Sequence, residues 1–367
     1  MLLKINEQYK GVHEVRILTA DVKEEYFPVY KMSFWMPRPL RFFEFIFRGV
    51  AFYKGVKRVQ REFDFDVVLF GNAMYGLISK LMMPERLIGG MINDYFMLII
   101  KANNFLKHEG GKSFMLLKRV ERFASKKLDF LISCSFFLKK YIVKEYKVKP
   151  KKIDVLYQAI DTKKICFKSE PISDRNQIKI LFVKHLFKIG GLETLANALK
   201  SSSDYQFKLT VVGPYMEQEG FIRRLFSGVN NVQILFLGPQ SCQSVHKLMH
   251  ENHILCIPSL LEAQGLANIE GLASGIPVVT SNAGGIPEIM NNGTNGWMCE
   301  AGNAASLAAV LKLCIEAEDE TKKAIAEKAR KFVEANFDFP VCIKNLLNIL
   351  EKRILGFKKT NSINPGQ

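Results

Sequence analysis

A chain of 367 residues is too long for one ordinary hydrophobic core and long enough for two α/β domains. Seven scattered cysteines with no C-x-x-C pair exclude a recognisable disulfide framework or zinc site and point to free thiols in a reducing compartment. The net charge of +16 is uneven: residues 1–170 carry 32 Lys and Arg against 18 Asp and Glu, the remainder 20 against 18, so the first half is the basic one.

Taken in order, the apolar runs alternate with amphipathic stretches, the pattern of parallel sheets covered on both faces. The N-terminus lacks the apolar core and cleavage site of a secretory signal, which implies a cytoplasmic location. A strand is expected over 14–19. From Met36 to Arg58 aromatics interleave with cations, as in an interfacial helix on an anionic bilayer; a core-facing aromatic stripe with a solvated basic face fits equally well. Asp64-Phe-Asp66 precedes the strand 67–70 rather than ending it, so it reads as a solvated turn and not as a nucleotide-metal site. The greasiest region, 87–100, is broken by Gly89-Gly90 and Asn93-Asp94, and no run of eighteen apolar residues exists to span a membrane. Further strands are expected at 88–92, 130–133 and 153–156. A polar, turn-rich joint falls at 162–177, followed by strands at 179–183, 208–212, 232–236, 254–257 and 277–280. The expected domains are 1–165 and 166–338, with 356–367 as a disordered tail. Basic charge alone does not make a nucleic-acid protein, and no binding motif accompanies it.

The most informative stretch runs from His253 to Glu288. A buried-strand pattern leads through Pro258-Ser259 to Glu262-Ala-Gln-Gly-Leu-Ala-Asn-Ile-Glu270, and a second strand leads into Gly284-Gly285-Ile-Pro-Glu288. Helix N-termini expose unpaired N–H groups and a partial positive charge, so a helix starting near Gly265 offers a place for a phosphate. Glu270 then lies roughly 7–8 Å along that helix and Glu262 before the turn. Carboxylates accept hydrogen bonds from sugar hydroxyls, so the spacing suits a sugar nucleotide. Glu270 also interrupts a segment otherwise almost uncharged from Ala263 to Pro287, and a lone acid there needs a partner. His246 and His250 stand at i and i+4 with no acid in evidence, which favours an ordinary helix pair over a ligand set.

Pro258-Ser259, Glu262, Gly265, Glu270, Ala273-Ser-Gly275-Ile-Pro277-Val-Val279 and Gly284-Gly285-Ile-Pro-Glu288 together resemble the family-4 retaining glycosyltransferases. Asp129 to Ser135, Lys152 to Asp161 and Asn295-Gly-Trp-Met-Cys299 extend the similarity over most of the chain. The resemblance implies the GT-B fold, two Rossmann-like domains with parallel sheets facing across a cleft, and last helices at about 339–355 returning to the first domain. It implies a metal-independent, cofactor-free transferase of hexosyl or N-acetylhexosaminyl groups, acting in cell-surface polysaccharide, lipopolysaccharide or capsule synthesis. Its partners are a nucleotide sugar and a glycan or lipid-linked acceptor, with an anionic membrane surface open to the basic half and no nucleic acid.

On that resemblance, Glu262 binds the donor sugar and Glu270 the ribose. Backbone N–H groups from Gly265, Leu266 and Ala267, aided by Lys188 and His185, hold the diphosphate, with Gly213 and Gly238 counted in the same donor set. Asn93 and Asp94 serve the acceptor side. Three features depart from the family pattern. The family's two diphosphate cations fall at His185 and Gly190, with Lys184 and Lys188 flanking the loop and able to supply the charge in their place; Asn93 stands where relatives have histidine; and the first strand with its glycine-rich loop is missing. These departures keep a second reading open, a truncated or decayed homologue acting as a non-catalytic sugar-nucleotide-binding or scaffold protein.

Overall fold

The computed structural model describes residues 41–62, 64–93, 111–168, 170 and 177–363. The expected strand at 14–19, the departure placed before it, and Asp94 all lie outside those residues. The chain forms two compact units. One takes in the described residues up to Tyr157 together with the chain from Cys342 onward; the other is Gln158–Val341.

The first unit is a four-stranded parallel sheet in the order β1 (Val67–Phe70), β2 (Leu87–Ile92), β3 (Phe130–Ser133), β4 (Ile153–Val155). Parallel strands buried on both faces read as continuous apolar runs, and every residue of β3 is buried. Gly89 and Gly90, which interrupt the apolar run in the sequence, sit inside β2: a side chain at 89 would meet the Phe130 ring, and one at 90 the backbone of Ala73. Helix α1 (Arg41–Glu62) packs on α2 (Ala73–Met82). Phe52 meets Phe70 edge-on at 6.0 Å and Tyr75 at 5.6 Å, and Val56 is buried, so this part of the aromatic stripe faces the core. Helices α3 (Gly111–Lys127) and α4 (Phe136–Tyr146) follow β2 and β3.

The final helix corrects the expected tail: α12 runs Phe339–Ile363. Side chains beyond the expected end are anchored. Lys358 pairs with Asp66 at 2.8 Å and the Lys80 ammonium lies over the Phe357 ring, while Arg353, just before that end, pairs with Asp154 at 2.6 Å. Those contacts, with residues roughly two hundred to three hundred positions earlier in the chain, are invisible to local composition.

The second unit is a six-stranded, wholly parallel sheet in the order β10-β9-β8-β5-β6-β7. Its strands are β5 (Ile178–Val183), β6 (Phe207–Val212), β7 (Val232–Gly238), β8 (Ile254–Ile257), β9 (Val278–Ser281) and β10 (Trp297–Cys299), the last not among the expected strands. Between them lie α5 (Leu192–Lys200), α6 (Glu219–Leu225), α7 (Cys242–Glu251), α8 (Leu266–Ser274) and α9 (Ile286–Ile289); α10 (Ala304–Glu316) and α11 (Asp319–Asn336) follow.

The division falls at Tyr157/Gln158, ahead of the expected joint. The physical reason is that the segment after Tyr157 is tied to the second unit. The Gln264 side chain exchanges hydrogen bonds with the Gln158 backbone at 2.8 and 3.1 Å. Ile160 N–H donates to Phe337 O, and Phe339 N–H to Ile160 O. Arg330, largely buried, donates to the carbonyls of Thr162, Ile165 and Ala273.

Candidate functional site

In the second sheet β6 and β7 extend to one side of β5, while β8, β9 and β10 extend to the other. The chain direction around the sheet therefore reverses between β5 and β8, and in open parallel sheets that reversal leaves a crevice at the carboxyl ends of the two strands. Lys184 is the first residue beyond β5, and the Pro258–Gly265 loop leaves β8 at the same end.

That loop is held from three directions. Leu260 N–H donates to Ile189 O at 2.7 Å, tying it to the β5–α5 loop. Thr280 Oγ1 donates to Ile257 O at 2.8 Å, and Ser281 Oγ to Ser259 O, which ties it to β9. Gly285 N–H donates to Glu262 O at 3.1 Å, while Gly284, at φ +59°, lies so close that a Cβ there would be 1.9 Å from the same oxygen. The second glycine turn of the motif thus fixes the Glu262 backbone, and the two strand–glycine–helix junctions form one structure.

Gly265 adopts φ +99° and opens α8 with no side-chain cap and no acidic residue in the first turn. Asn268 N–H and Ile269 N–H both turn back to Gly265 O, so the outward-facing N–H groups at this end are those of the residues before them, Leu266 and Ala267. Such an end favours an anion. Asn268, in the same turn, is buried, donates to Thr280 Oγ1, and has a buried Oδ1 with no partner among the described residues.

The charges around this turn are paired. Lys184 Nζ forms an ion pair with Glu262 Oε2, with side chains 25% and 15% exposed. Glu270 lies on the next turn of α8, where His246 Nε2 on α7 comes within 3.8 Å of its Oε1. This corrects the expectation that the His246/His250 pair has no acid partner: the partner is 24 positions away in sequence, on the neighbouring helix. Burial raises the Glu270 carboxyl above its ordinary value, and the His246 ring opposes that rise. Burial also lowers the His250 imidazole, although a backbone hydrogen bond to Cys166 opposes it.

Of the other expected donor residues, His185 is exposed; its Nδ1 donates to Gly213 O at 3.0 Å, and its ring meets Tyr215 edge-on at 4.6 Å. Gly213, at φ +111°, abuts the Lys184–His185 backbone, and its N–H donates to Gly238 O, so these two glycines line the ends of β6 and β7 beside the loop. The Lys188 ammonium sits 5.0 Å from the Phe221 ring centroid, over α6. Of the two loop lysines able to supply the missing charge, the structure thus brings Lys184, and not Lys188, to Glu262. Asn93 directly follows β2 in the other unit; its carbonyl accepts from Cys134 Sγ, and its buried Oδ1 has no partner among the described residues.

A cavity of about 60 Å³ lies at the opposite end of this sheet, where β5, β8 and β9 begin, with His250, His253, Lys168 and Lys322 in its lining. Among the described residues no three His, Cys, Asp or Glu side chains cluster as a metal ion would require, and no helix is long and apolar enough to cross a membrane.

Comparison with known proteins divides the chain at residue 164, a few residues after the structural division. Residues 164–332 match the model for glycosyl transferases group 1, and residues 7–164 match that for glycosyltransferase family 4. An uncharacterized glycosyltransferase of Methanocaldococcus jannaschii is 24% identical over 306 residues, 79% of this chain and 76% of its own. The amylovoran biosynthesis glycosyltransferase of Erwinia amylovora is 27% identical over 212 residues, 55% of this chain and 51% of its own. The chain spans about half the length of several of the curated relatives it matches. Among solved structures, Anabaena HepE in complex with UDP and glucose superposes with a TM-score of 0.63 at 18% identity, over 81% of this chain and 80% of that one. Two parallel-sheet units with such neighbours constitute the GT-B fold, and with both halves matched, the chain belongs to the family-4 glycosyltransferases.

Proposed function

We propose that this protein transfers a hexosyl or N-acetylhexosaminyl group from a nucleoside diphosphate sugar to a glycan or lipid-linked acceptor, with retention at the anomeric carbon and without a metal ion. The observation that carries the reading is the convergence at the β5/β8 reversal of an uncapped helix N-terminus, Glu262 and Glu270. The N–H groups at Gly265, Leu266 and Ala267 stabilise the diphosphate as it leaves, the electrostatic contribution such chemistry chiefly needs. Glu262 binds donor-sugar hydroxyls and favours positive charge developing at the anomeric carbon. Glu270 binds the ribose. Asn93 and Asp94 position the acceptor. Relatives named for polysaccharide synthesis and a structural neighbour that binds UDP support the same substrate classes.

The test is a calorimetric titration with UDP, GDP and ADP, first with chelator and then with magnesium, followed by turnover of the matching nucleotide sugar. Metal-independent binding of one nucleotide, with transfer to an acceptor, is expected. Binding without turnover favours the non-catalytic sugar-nucleotide-binding reading, and binding that needs magnesium removes the metal-free mechanism.

We also propose that the protein works at the anionic inner face of the cell membrane, where a lipid-linked acceptor would lie, a reading supported by the basic first half and by exposed Lys54, Arg58 and Arg61 on α1. Sedimentation with anionic vesicles should weaken as salt shortens the Debye length. Failure to sediment at any salt concentration rejects the membrane surface and leaves the sugar-transfer reading untouched.

A further inference from the structure

Two oddities of the β5–α5 loop have one geometric explanation. Lys184 projects from the end of β5 to the Glu262 carboxylate, and both are mostly buried. Gly190, six residues later, is also buried, and its backbone passes directly over the stem of Lys184. A Cβ at 190 would lie 2.8 Å from Lys184 Cγ, 2.9 Å from its Cβ and 2.8 Å from the Phe182 ring. The absence of a side chain at 190 is therefore a condition for the path Lys184 takes.

The other cations of the loop are turned elsewhere: Lys188 lies over Phe221, and the His185 ring is held by Gly213 O and Tyr215. Lys184 alone among the loop's cations touches the carboxylate that precedes the uncapped end of α8. An ion pair set before an anion-attracting helix terminus can exchange its partner, because a diphosphate offers the ammonium more charge than one carboxylate does.

Resting on the donor-site reading above, we infer that Lys184 is the cation for the nucleotide's diphosphate, kept in place by Glu262 when no donor is bound and exchanged onto the phosphates when one arrives. The exchange frees the Glu262 carboxylate for the donor sugar. Gly190 is the residue that makes room for it, so the lysine at 184 and the glycine at 190 are one arrangement.

The experiment is a titration of the parent and four variants with whichever of UDP, GDP or ADP the parent binds, with a thermal melt of each to show that it is folded. Lys184→Ala should weaken binding by about tenfold to a hundredfold, the loss of one charge-assisted contact. Combining Gly190→Lys with Lys184→Gly should recover most of that loss, since both Lys184 atoms that crowd a Cβ at 190 are then gone and only the tip of the Phe182 ring has to shift. Gly190→Ala alone should weaken binding by displacing Lys184. Glu262→Gln should tighten binding of the bare nucleotide by several-fold, because Lys184 no longer has to leave a carboxylate; a purely structural role for the pair gives no such gain. Unchanged affinity in Lys184→Ala, or no gain in Glu262→Gln, overturns the inference while the donor-site reading survives. A parent protein that binds no nucleotide overturns both.

Discussion

His246 Nε2 stands 3.8 Å from Glu270 Oε1, so the acid interrupting an otherwise uncharged helix has its partner on the neighbouring helix. Glu270→Ala is expected to weaken nucleotide binding by about tenfold to a hundredfold, as removal of a charged hydrogen-bond acceptor does. His246→Ala removes the group that opposes the raised Glu270 pKa. Nucleotide binding should then reach its plateau at a higher pH than in the parent, as read from calorimetry across a pH series.

Glu270 also makes a prediction about stability. Burial raises its folded-state pKa, so the folded protein disfavours the carboxylate. The resulting cost is absent below the ordinary carboxyl pKa, grows as pH rises from there to the folded value, and is complete above it. Glu270→Gln should therefore melt with the parent in acid and above it at neutral pH. Equal melting temperatures at neutral pH contradict the assigned burial effect.

Gly284→Ala places a methyl group 1.9 Å from the Glu262 carbonyl in a backbone conformation, φ +59°, that suits glycine. A loss of roughly 1–3 kcal/mol in denaturant unfolding is expected, of the size that strained backbone carries. Because the displaced oxygen belongs to Glu262, nucleotide affinity should fall as well. Gly293→Ala, at φ +94° with open space around it, provides a comparison in which strain is introduced without touching the loop.

Arg330 satisfies the carbonyls of Thr162, Ile165 and Ala273 from one guanidinium. Arg330→Met leaves three acceptors without that donor and should cost about 2–5 kcal/mol by urea denaturation. Arg330→Lys should recover little, because a single ammonium cannot reproduce a planar fork of donors reaching three oxygens. Nucleotide affinity measured well below the unfolding midpoint should be unchanged in both.

Much of the second sheet was legible because each parallel strand is a short apolar run bounded by turn residues, as at 178–183 and 254–257. The donor loop was legible for a different reason. Its glycines and paired acids answer to backbone geometry and ligand chemistry, which leave fixed spacings. What escaped were relationships between distant residues: His246 to Glu270, Lys184 to Glu262, and Lys358 to Asp66. The short strand Trp297–Cys299 was hidden because three residues carry too little periodicity to register. The aromatic stripe around Phe52 was ambiguous, since an apolar face has the same pattern whether it meets a core or a bilayer; its contacts with Phe70 and Tyr75 answer that for this segment.

The meeting of Ile160 with Phe337 and Phe339 joins the two ends of a continuous segment, while α12 belongs from Cys342 onward with strands made far earlier. On a ribosome the order of completion is therefore the reverse of the order of appearance. The sheet β1–β4 emerges first but waits for its last helix while the intervening unit is synthesised, on the order of ten seconds or more at cellular rates. The later unit has all its strands in hand before then. A released chain ending at Val341 should protect the second unit from protease and leave the first one open to it.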